Sequence, residues 1–164
     1  MKRLEAPDRH RLFEYLHYDP ATGIFTGRLR GRGMRNYGKP LGAVSPAGYR
    51  IIMVDGVLYQ ASHLAWFYVH GEWPANIMDH RDLDKANDRI ENLRPATRSQ
   101  NQGNQRARSN NSSGRKGVSR SVCGKRWQVS IAREHIGIFD TIEEAADAYR
   151  IAAIAKFGEF ARFD

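Results

Sequence analysis

The sequence predicts an α+β protein with two small domains, the first over residues 1–102 and the second over residues 114–164. Short segments of alternating apolar and polar residues are interspersed with short helical stripes, and this mixture indicates the class. Residues 103–113 are rich in glycine, asparagine, serine and arginine, cannot build a core, and are interpreted as a flexible linker. Residues 114–164 hold three strand candidates and one helix, which predicts a small three-stranded antiparallel sheet packed on that helix.

The N-terminal domain is predicted to alternate short helices and strands. Asp55-Gly56 lies between two strand-like runs and favours a two-residue hairpin turn. Ser62 is the expected N-cap of the next helix, and Gly71 is expected to end it. Thr97-Arg98-Ser99-Gln100 fits a capping box and opens a further helix. The predicted elements, in order, are a helix over 8–16, a turn at 19–23, strand pieces and loops over 24–48, strands at 49–54 and 57–59, a helix over 63–70, and strands at 77–80 and 93–96.

The C-terminal domain carries the clearest local signals. Strands are predicted over 116–121, 126–132 and 134–139, and Thr141-Ile142-Glu143-Glu144 fits a second capping box for a helix that ends at Gly158. Alanines dominate the inner face of this helix, so it can lie close to the sheet. Because Trp127, Val129 and Ile131 point toward the helix, the opposite sheet face is left bare. The residues expected on the inner helix face are Ile142, Ala145, Ala146, Tyr149, Ala152, Ala153 and Lys156.

The charge balance indicates a polyanionic partner. The chain has 26 Lys and Arg against 18 Asp and Glu, which gives a net charge of +8, and its pI is about 9.9. Nucleic acid is the commonest partner of a globular protein this basic. A basic surface kept for solubility is the alternative.

The single cysteine, Cys123, excludes an intrachain disulfide and a multi-cysteine zinc site and fits a reducing compartment. The N-terminus lacks the apolar core of a signal peptide, and no apolar run reaches membrane-spanning length. We therefore expect a soluble, cytoplasmic protein without a membrane partner.

Three polar residues in the middle of the chain have the chemistry of phosphodiester hydrolysis, which needs a metal, a base and fixed geometry. The Asp79 carboxylate and the Asn101 amide are hard ligands that suit Mg²⁺ or Mn²⁺. His80 carries an imidazole, which can accept a proton near neutral pH. A strand-strand-helix unit would bring Asp79 and Asn101 together. The alternative is a polar loop capped by its own Asn and Asp side chains.

The wider pattern resembles an HNH endonuclease motif. Residues 79–97 read Asp-His-Arg-Asp-Leu-Asp-Lys-Ala-Asn-Asp-Arg-Ile-Glu-Asn-Leu-Arg-Pro-Ala-Thr, with Asn101 and Asn104 after them. Upstream, Gly48-Tyr49-Arg50, Ser62-His63-Leu64-Ala65-Trp66 and Gly71-Glu72-Trp73-Pro74 are also similar to HNH nucleases of the phage and intron homing type. The resemblance covers about residues 8–104.

This resemblance implies a ββα-metal nuclease site with one divalent ion, Mg²⁺ or Mn²⁺. It implies that Asp79 binds the metal, that His80 is the general base and that Asn92 braces the loop behind the histidine. Asn101 stands at the final motif position, where many relatives have histidine and homing nickases have asparagine, so it is the second expected metal ligand.

The upstream histidine departs from the family pattern. Relatives commonly carry His-Arg where this chain has His63-Leu64, so a basic phosphate contact is missing there. Near Trp66, His63 is expected to be a packed, hydrogen-bonded histidine rather than a ligand. Asn87 and Asn104 are expected to be loop and helix-end residues.

The C-terminal motifs Gly114-Arg115-Lys116-Gly117-Val118, Arg126-Trp127-Gln128-Val129-Ser130-Ile131 and Ile136-Gly137-Ile138-Phe139-Asp140-Thr141 resemble the Apetala-type (ethylene response factor-like) DNA-binding domain. In phage proteins that domain commonly follows an HNH nuclease, and its bare sheet face enters the major groove. Arginine and glutamine suit guanine and adenine edges there. The expected DNA-binding residues are Arg115, Lys116, Arg120, Lys125, Arg126, Gln128, Ser130, Arg133 and His135.

These features predict a metal-dependent DNA endonuclease, a site-preferring nickase of the homing type that leaves a 5′ phosphate and a 3′ hydroxyl. The expected partner is double-stranded DNA, bound by a monomer because the chain has one metal constellation and no heptad repeat. A phage-encoded protein of this kind would act in the host cytoplasm. The alternative is a non-catalytic, sequence-specific DNA-binding regulator on an HNH-like scaffold, which would not need Asp79, His80 and Asn101. RNA binding is disfavoured because no stacking-aromatic motif is present.

Overall fold

The structure, a computed structural model, describes residues 5–28 and 36–164. The chain divides into two units, Met1–Pro95 and Ala96–Asp164. Both contain helices and small sheets, so the predicted mixture of α and β structure is confirmed. Part of the segment predicted as strand pieces and loops, residues 29–35, lies outside the described residues. No helix in the described part of the chain is long and apolar enough to cross a membrane.

Unit 1 contains two α-helices, one short 3-10 helix (Ile90–Asn92) and seven short strands among its described residues, the last strand extending one residue past the division. The strands form a two-stranded sheet of β1 and β2, a three-stranded sheet in the order β3-β4-β5, and a two-stranded sheet of β6 and β7. The elements are α1 (Arg9–Tyr15), β1 (Leu16–Asp19), β2 (Ile24–Gly27), β3 (Ala43–Val44), β4 (Arg50–Val54), β5 (Val57–Gln60), α2 (Ala61–His70), β6 (Ile77–His80) and β7 (Leu93–Ala96).

Local chemistry explains most of these boundaries. Asp8 caps α1, since its carboxylate accepts a hydrogen bond of 2.8 Å from the Arg11 amide. Asp55 and Gly56 both have positive φ, 48° and 80°, which confirms the predicted tight turn between β4 and β5. Gly71, with φ of 75°, ends α2 as predicted.

The predicted N-cap of α2 is wrong. The helix begins at Ala61, and Gln60 occupies the cap position without a side-chain hydrogen bond. Ser62 is instead buried in the first turn. Helix α2 follows β5 directly, so the strand places the first turn without the polar cap that an isolated helix would need.

One hydrophobic core joins the helices and sheets of unit 1. Leu12 of α1, Phe25 of β2 and Leu64 of α2 are fully buried in it. The Tyr18 and Phe25 rings stack with centroids 4.7 Å apart. The core consists of Leu12, Leu16, Tyr18, Phe25, Ile52, Val54, Tyr59, Ala61, Leu64, Ala65, Phe67, Met78 and Leu93. Because Met78 and Leu93 belong to it, the core fixes β6 and β7, the strands that carry the predicted site.

Unit 2 begins with α3 (Arg98–Asn104) and continues with β8 (Val118–Arg120), β9 (Trp127–Ile131), β10 (Glu134–Phe139) and α4 (Ile142–Phe157). The three strands form an antiparallel sheet in the order β10-β9-β8, and α4 packs on it. The predicted three-stranded sheet on one helix is confirmed, although its first two strands are shorter than expected. Both predicted capping boxes are present.

The inner face of α4 differs in part from the prediction. Ala145, Tyr149 and Ala153 are buried as expected, and Phe157 is buried in place of Lys156. The Lys156 ammonium is instead 2.5 Å from the Glu134 carboxylate in an exposed ion pair. A long charged side chain near the helix end reaches solvent, so it leaves the packed position to the aromatic ring.

Helix α3 packs as part of unit 2. A Cβ atom on Gly103 would lie 2.6 Å from the Phe157 ring, so only glycine fits the close approach of α3 to α4. The Lys116 ammonium donates to the Gly103 carbonyl, at 2.6 Å, and to the Gln105 carbonyl. The Ala107 amide donates to the Asp164 carbonyl at 2.9 Å. The division after Pro95 therefore differs from the predicted boundaries at 102 and 114, which stay a prediction about functional domains.

The loop between β8 and β9 carries the single cysteine. Cys123 is exposed, and its sulfur is 3.1 Å from the Ser121 hydroxyl. The hydrogen bond with Ser121 is the main cause that lowers the pKa of the thiol below its usual value.

Candidate active site

The C-terminal end of β6 places two predicted site residues in the protein interior. Asp79 is 2% exposed and His80 is 4% exposed. On the neighbouring strand β7, the Arg94 guanidinium donates a hydrogen bond of 2.8 Å from Nε to Asp79 Oδ2. Both side chains of this ion pair are buried. Removing one partner would leave an uncompensated buried charge, at a cost of about 3–5 kcal/mol. Arg94 therefore fixes the Asp79 carboxylate.

His80 is paired with a carboxylate from the loop that follows it. Its Nε2 atom lies 3.1 Å from Asp88 Oδ1, and both side chains are almost fully buried. The Arg50 Nε atom is 3.8 Å from Asp88 Oδ2, too far for a hydrogen bond. That oxygen is buried without a hydrogen-bond partner among the described residues. Asp88 thus directs one oxygen at the imidazole and faces a guanidinium with the other.

The backbone around Asp88 is held from a distant part of unit 1. The Tyr18 hydroxyl donates to the Asp88 carbonyl at 2.7 Å. Gly23, with φ of 73°, allows the first hairpin to approach closely, because a Cβ there would lie 2.5 Å from the Arg89 nitrogen. These contacts fix the point at which the Asp88 side chain leaves the backbone. The sequence interpretation missed Asp88, whose only signal is a carboxylate eight residues after the histidine.

Asn92 sits at the centre of the loop behind His80. Its amide nitrogen donates to Asp82 Oδ1 at 3.0 Å and to the Asn87 carbonyl at 2.8 Å. Its Oδ1 accepts from the Asp82 amide at 3.1 Å. Burial raises the pKa of Asp82, but hydrogen bonds from Asn87 and Asn92 outweigh it and hold the net pKa below the usual value. Asn92 therefore connects Asp82 and Asn87 within this loop, and its part in a nuclease site stays a prediction.

One upstream motif residue, Tyr49, also lies close to the loop and its histidine. The Tyr49 ring centroid lies 6.2 Å from that of His80. The Lys85 ammonium lies 4.8 Å above the Tyr49 ring and donates to the Ala47 carbonyl at 3.0 Å. The Gly48-Tyr49-Arg50 motif therefore belongs to the same site as His80.

His63 differs from its prediction in two ways. Its ring packs 5.7 Å from Trp73, whereas the Trp66 ring stacks on His70 at 3.9 Å. Its Nδ1 atom is buried without a hydrogen-bond partner among the described residues, so the expectation of a hydrogen-bonded histidine is wrong for that atom. Burial, and then the charge of His80, lower the pKa of His63 to about 4. His63 is therefore neutral at physiological pH.

The second predicted metal ligand, Asn101, lies on α3 in unit 2. Within the described residues, no three His, Cys, Asp or Glu side chains are grouped so that they could hold a metal ion. A hard ion such as Mg²⁺ keeps several waters and takes one or two protein carboxylates together with substrate phosphate. The donor chemistry of Asp79 and Asn101 fits such an ion.

The predicted DNA-binding residues of unit 2 do not all share one surface. Ser130 pairs with His135 across the sheet, and Gln128 alternates with the buried Val129 and Ile131, so these three face away from α4. Arg120 pairs with Trp127 and stacks on its ring at 3.9 Å. Residues opposite each other in a ladder share a face, so Arg120 lies on the same side as Val129.

The other predicted DNA-binding residues have varied surroundings. The Lys116 ammonium is tied to two carbonyls, and burial lowers its pKa to about 8. Arg126 lies 4.0 Å from the Asp140 carboxylate. Arg115, Lys125 and Arg133 are exposed.

Comparisons with known proteins show which family the central segment of the chain matches. Residues 59–102 match the HNH endonuclease family model, and this segment contains the Asp79–Arg94 and His80–Asp88 pairs. The chain is also similar to an uncharacterized HNH endonuclease of Acanthamoeba polyphaga mimivirus, 32% identical over 120 residues, which are 70% of this chain and 62% of that relative. The chain thus spans less than two thirds of the relative's length. No solved structure gives a significant match.

Proposed function

Because residues 59–102 carry an HNH endonuclease domain, we propose that this protein is a divalent-metal-dependent DNA endonuclease with His80 as its general base. The observation that carries the proposal is the pair of buried contacts at the end of β6. Asp79 is held by Arg94 at 2.8 Å, and His80 is held by Asp88 at 3.1 Å. Burying a carboxylate and an imidazole costs desolvation free energy, and a role in catalysis accounts for that cost better than DNA binding alone does.

Asp79 and Asn101 would hold the divalent ion, Mg²⁺ or Mn²⁺, because carboxylate and amide oxygens suit hard cations. When bound, the ion supplies stabilisation of the charge that develops on the phosphate. Arg94 keeps the Asp79 carboxylate in a fixed orientation through its Nε hydrogen bond. A fixed ligand needs no reorganisation when substrate arrives.

His80 activates the attacking water. His80 Nε2–H donates a hydrogen bond to the Asp88 carboxylate, so the proton from water goes to the other ring nitrogen. The hydroxide oxygen then bonds to phosphorus while the bond to the 3′ oxygen breaks. The leaving oxygen takes up a proton, and the products are a 5′ phosphate and a 3′ hydroxyl. Asn92 keeps the loop behind His80 in place throughout.

The direct test is the His80→Ala variant, incubated with supercoiled DNA and Mg²⁺. Loss of a general base should lower the cleavage rate by about a hundredfold or more while leaving DNA binding nearly unchanged. His17→Ala is the matched control, since His17 is an exposed histidine on β1. A His80→Ala protein that cuts at the parental rate would remove His80 from the mechanism. A parental protein that binds DNA but never cuts it would favour the non-catalytic regulator.

The enzyme is proposed to be a homing-type nickase that cuts one strand in each binding event. One metal constellation holds one scissile phosphate at a time, and the chain has no heptad repeat for a dimer. Duplex DNA labelled at the end of each strand in turn, and resolved on a denaturing gel, measures the outcome. We expect one strand to be cut first, whereas equal early cleavage of both strands would show that two sites act together.

Unit 2 is proposed to bind the DNA as an Apetala-type domain acting in a monomer. Gln128, Ser130 and His135 on the outer sheet face support this role, since they offer hydrogen-bonding groups to base edges. The two units would then divide the work, with unit 2 placing the duplex and His80 acting on it.

A further inference from the structure

Unit 2 contains a groove that borders its outer sheet face and shares Ser130 with it. The groove has a volume of about 590 Å³. Three stretches of chain contribute most of its lining, namely residues 105–112, residues 116–119 and residues 130–133. Gln102 and the Tyr149 and Phe157 side chains of α4 complete it. The first of these stretches lies within residues 103–113, which were predicted to be a flexible linker. Its two arginines left open whether that linker is solvated or lies against a negatively charged partner.

The groove is positively charged. Its charged lining residues are Arg106, Arg108, Lys116 and Arg133, and its lining includes no Asp or Glu. The three arginines are exposed. Asp164, whose charge acts on Lys116, is already 3.4 Å from Arg162. The positive charge of the groove is therefore not neutralised from within its lining.

The backbone that carries Arg106 and Arg108 is held in place. The Ala107 amide donates to the Asp164 carbonyl, and the Asn111 amide donates to the Arg108 carbonyl, both at 2.9 Å. The Asn111 side chain donates to the Arg115 carbonyl at 2.8 Å. Two arginines on a fixed backbone lose less entropy on binding than two on a free chain.

The turn opposite them presents its arginine at a conformational cost. Ala132 and Arg133 have φ values of 48° and 72°, in a two-residue hairpin turn where glycine or asparagine is usual. The left-handed region costs other residues about 1 kcal/mol or more. An arginine in that conformation is expected where its side chain has a use.

We propose that this groove binds the phosphodiester backbone of duplex DNA through Arg106, Arg108 and Arg133. The proposal rests on the proposed function, because DNA is the partner it assigns. Uncharged donors such as Asn110 and Ser112 line the groove beside the arginines, a mixture typical of contacts that position a protein on DNA without reading bases. The outer sheet face is then left to read the sequence.

The test compares full-length variants by fluorescence anisotropy on a duplex, without divalent metal and over a range of salt concentrations. The groove Gln variant and the control Gln variant have the same net charge, and the Lys variant keeps the parental charge. Each phosphate contact contributes about 0.9 to the slope of log affinity against log salt. The variant Arg106→Gln with Arg108→Gln should therefore reduce the magnitude of this negative slope by about 1.8 and weaken binding at low salt. Arg106→Lys with Arg108→Lys should keep the slope. The control is Arg150→Gln with Lys156→Gln, two exposed α4 residues that do not line the groove.

The outcomes separate this proposal from the nuclease assignment. The proposal that the groove binds DNA is overturned if the Gln variant keeps the parental slope, or if the control loses as much slope as the Gln variant does. Either result counts even if the protein cuts DNA. A reduced slope confined to the Gln variant supports the groove even if the protein never cuts. If an RNA duplex of the same sequence binds more tightly than DNA, the DNA assignment is overturned.

Discussion

Asp88 is the residue on which the placement of the His80 ring depends. Its Oδ1 atom lies 3.1 Å from His80 Nε2, and its backbone is fixed by the Tyr18 hydroxyl. A carboxylate in this position fixes the tautomer of the imidazole and stabilises the charge that the ring gains with a proton. Asp88 touches neither substrate nor metal in the proposed mechanism, so it is a positioning residue.

The Asp88→Asn variant should lower kcat by about ten- to a hundredfold while KM and DNA affinity stay close to the parental values. The amide keeps an acceptor near Nε2 but loses the negative charge. Steady-state cleavage of a short duplex gives both constants. Asp84→Asn is the matched control, because Asp84 is an exposed aspartate of the same loop. If the Asp88→Asn protein keeps the parental kcat, Asp88 has only a structural role and does not position His80 for catalysis.

The predictable part of the site is the part that is local in sequence. Asp79, His80 and Asn92 have fixed spacings in one motif, so their placement in the matched domain followed from the pattern. Asp88 could not be singled out, because the same loop carries Asp82 and Asp84 as well. Only the fold shows that Asp88 turns inward while the other two remain exposed.

Among the elements, α3 depends most on a single glycine. Gly103 lies in the helix, where Gly→Ala ordinarily stabilises by about 1 kcal/mol. A Cβ at this position would meet the Phe157 ring at 2.6 Å. Since overpacking costs about 1–3 kcal/mol, Gly103→Ala should lower the free energy of unfolding of unit 2 instead of raising it.

Urea denaturation of the full chain, followed by circular dichroism, would measure this effect. Ser99→Ala on the same helix is the control, because Ser99 is exposed and should change stability little. A stabilised Gly103→Ala protein would mean that α3 does not pack on α4 as described. The double variant Gly103→Ala with Phe157→Leu tests whether the ring is the cause. It is the cause if the double variant loses less free energy of unfolding than the two single variants lose in sum, because the two effects are then coupled.

Elements with strong local signals were predictable, and contacts between distant segments were not. Both capping boxes and the Asp55-Gly56 turn depend on three or four neighbouring residues, and the structure contains all three. The attachment of α3 depends on Phe157 and Lys116, far along the chain. A helix of seven residues without apolar side chains gives no pattern from which that packing could be inferred.

At the scale of the whole molecule, the division after Pro95 determines which fragment is a sound unit for experiment. A fragment of residues 96–164 should melt at a higher temperature than one of residues 114–164, because only the longer one keeps the contacts of α3. A difference of about 1 kcal/mol corresponds to about 4–8 °C in a domain of this size. Thermal melts of the two fragments measure it, and equal Tm values would show that α3 adds nothing to unit 2.

The exposed loop of Cys123 gives the molecule a natural chemical handle. The chain has one cysteine, its thiol pKa is lowered by the Ser121 hydroxyl, and it lies in the same loop as Lys125. A maleimide dye should therefore attach at one place without any engineered cysteine, close to residues expected to meet DNA. Quenching or polarisation of that dye would then report the arrival of a duplex in real time, in the unmodified sequence.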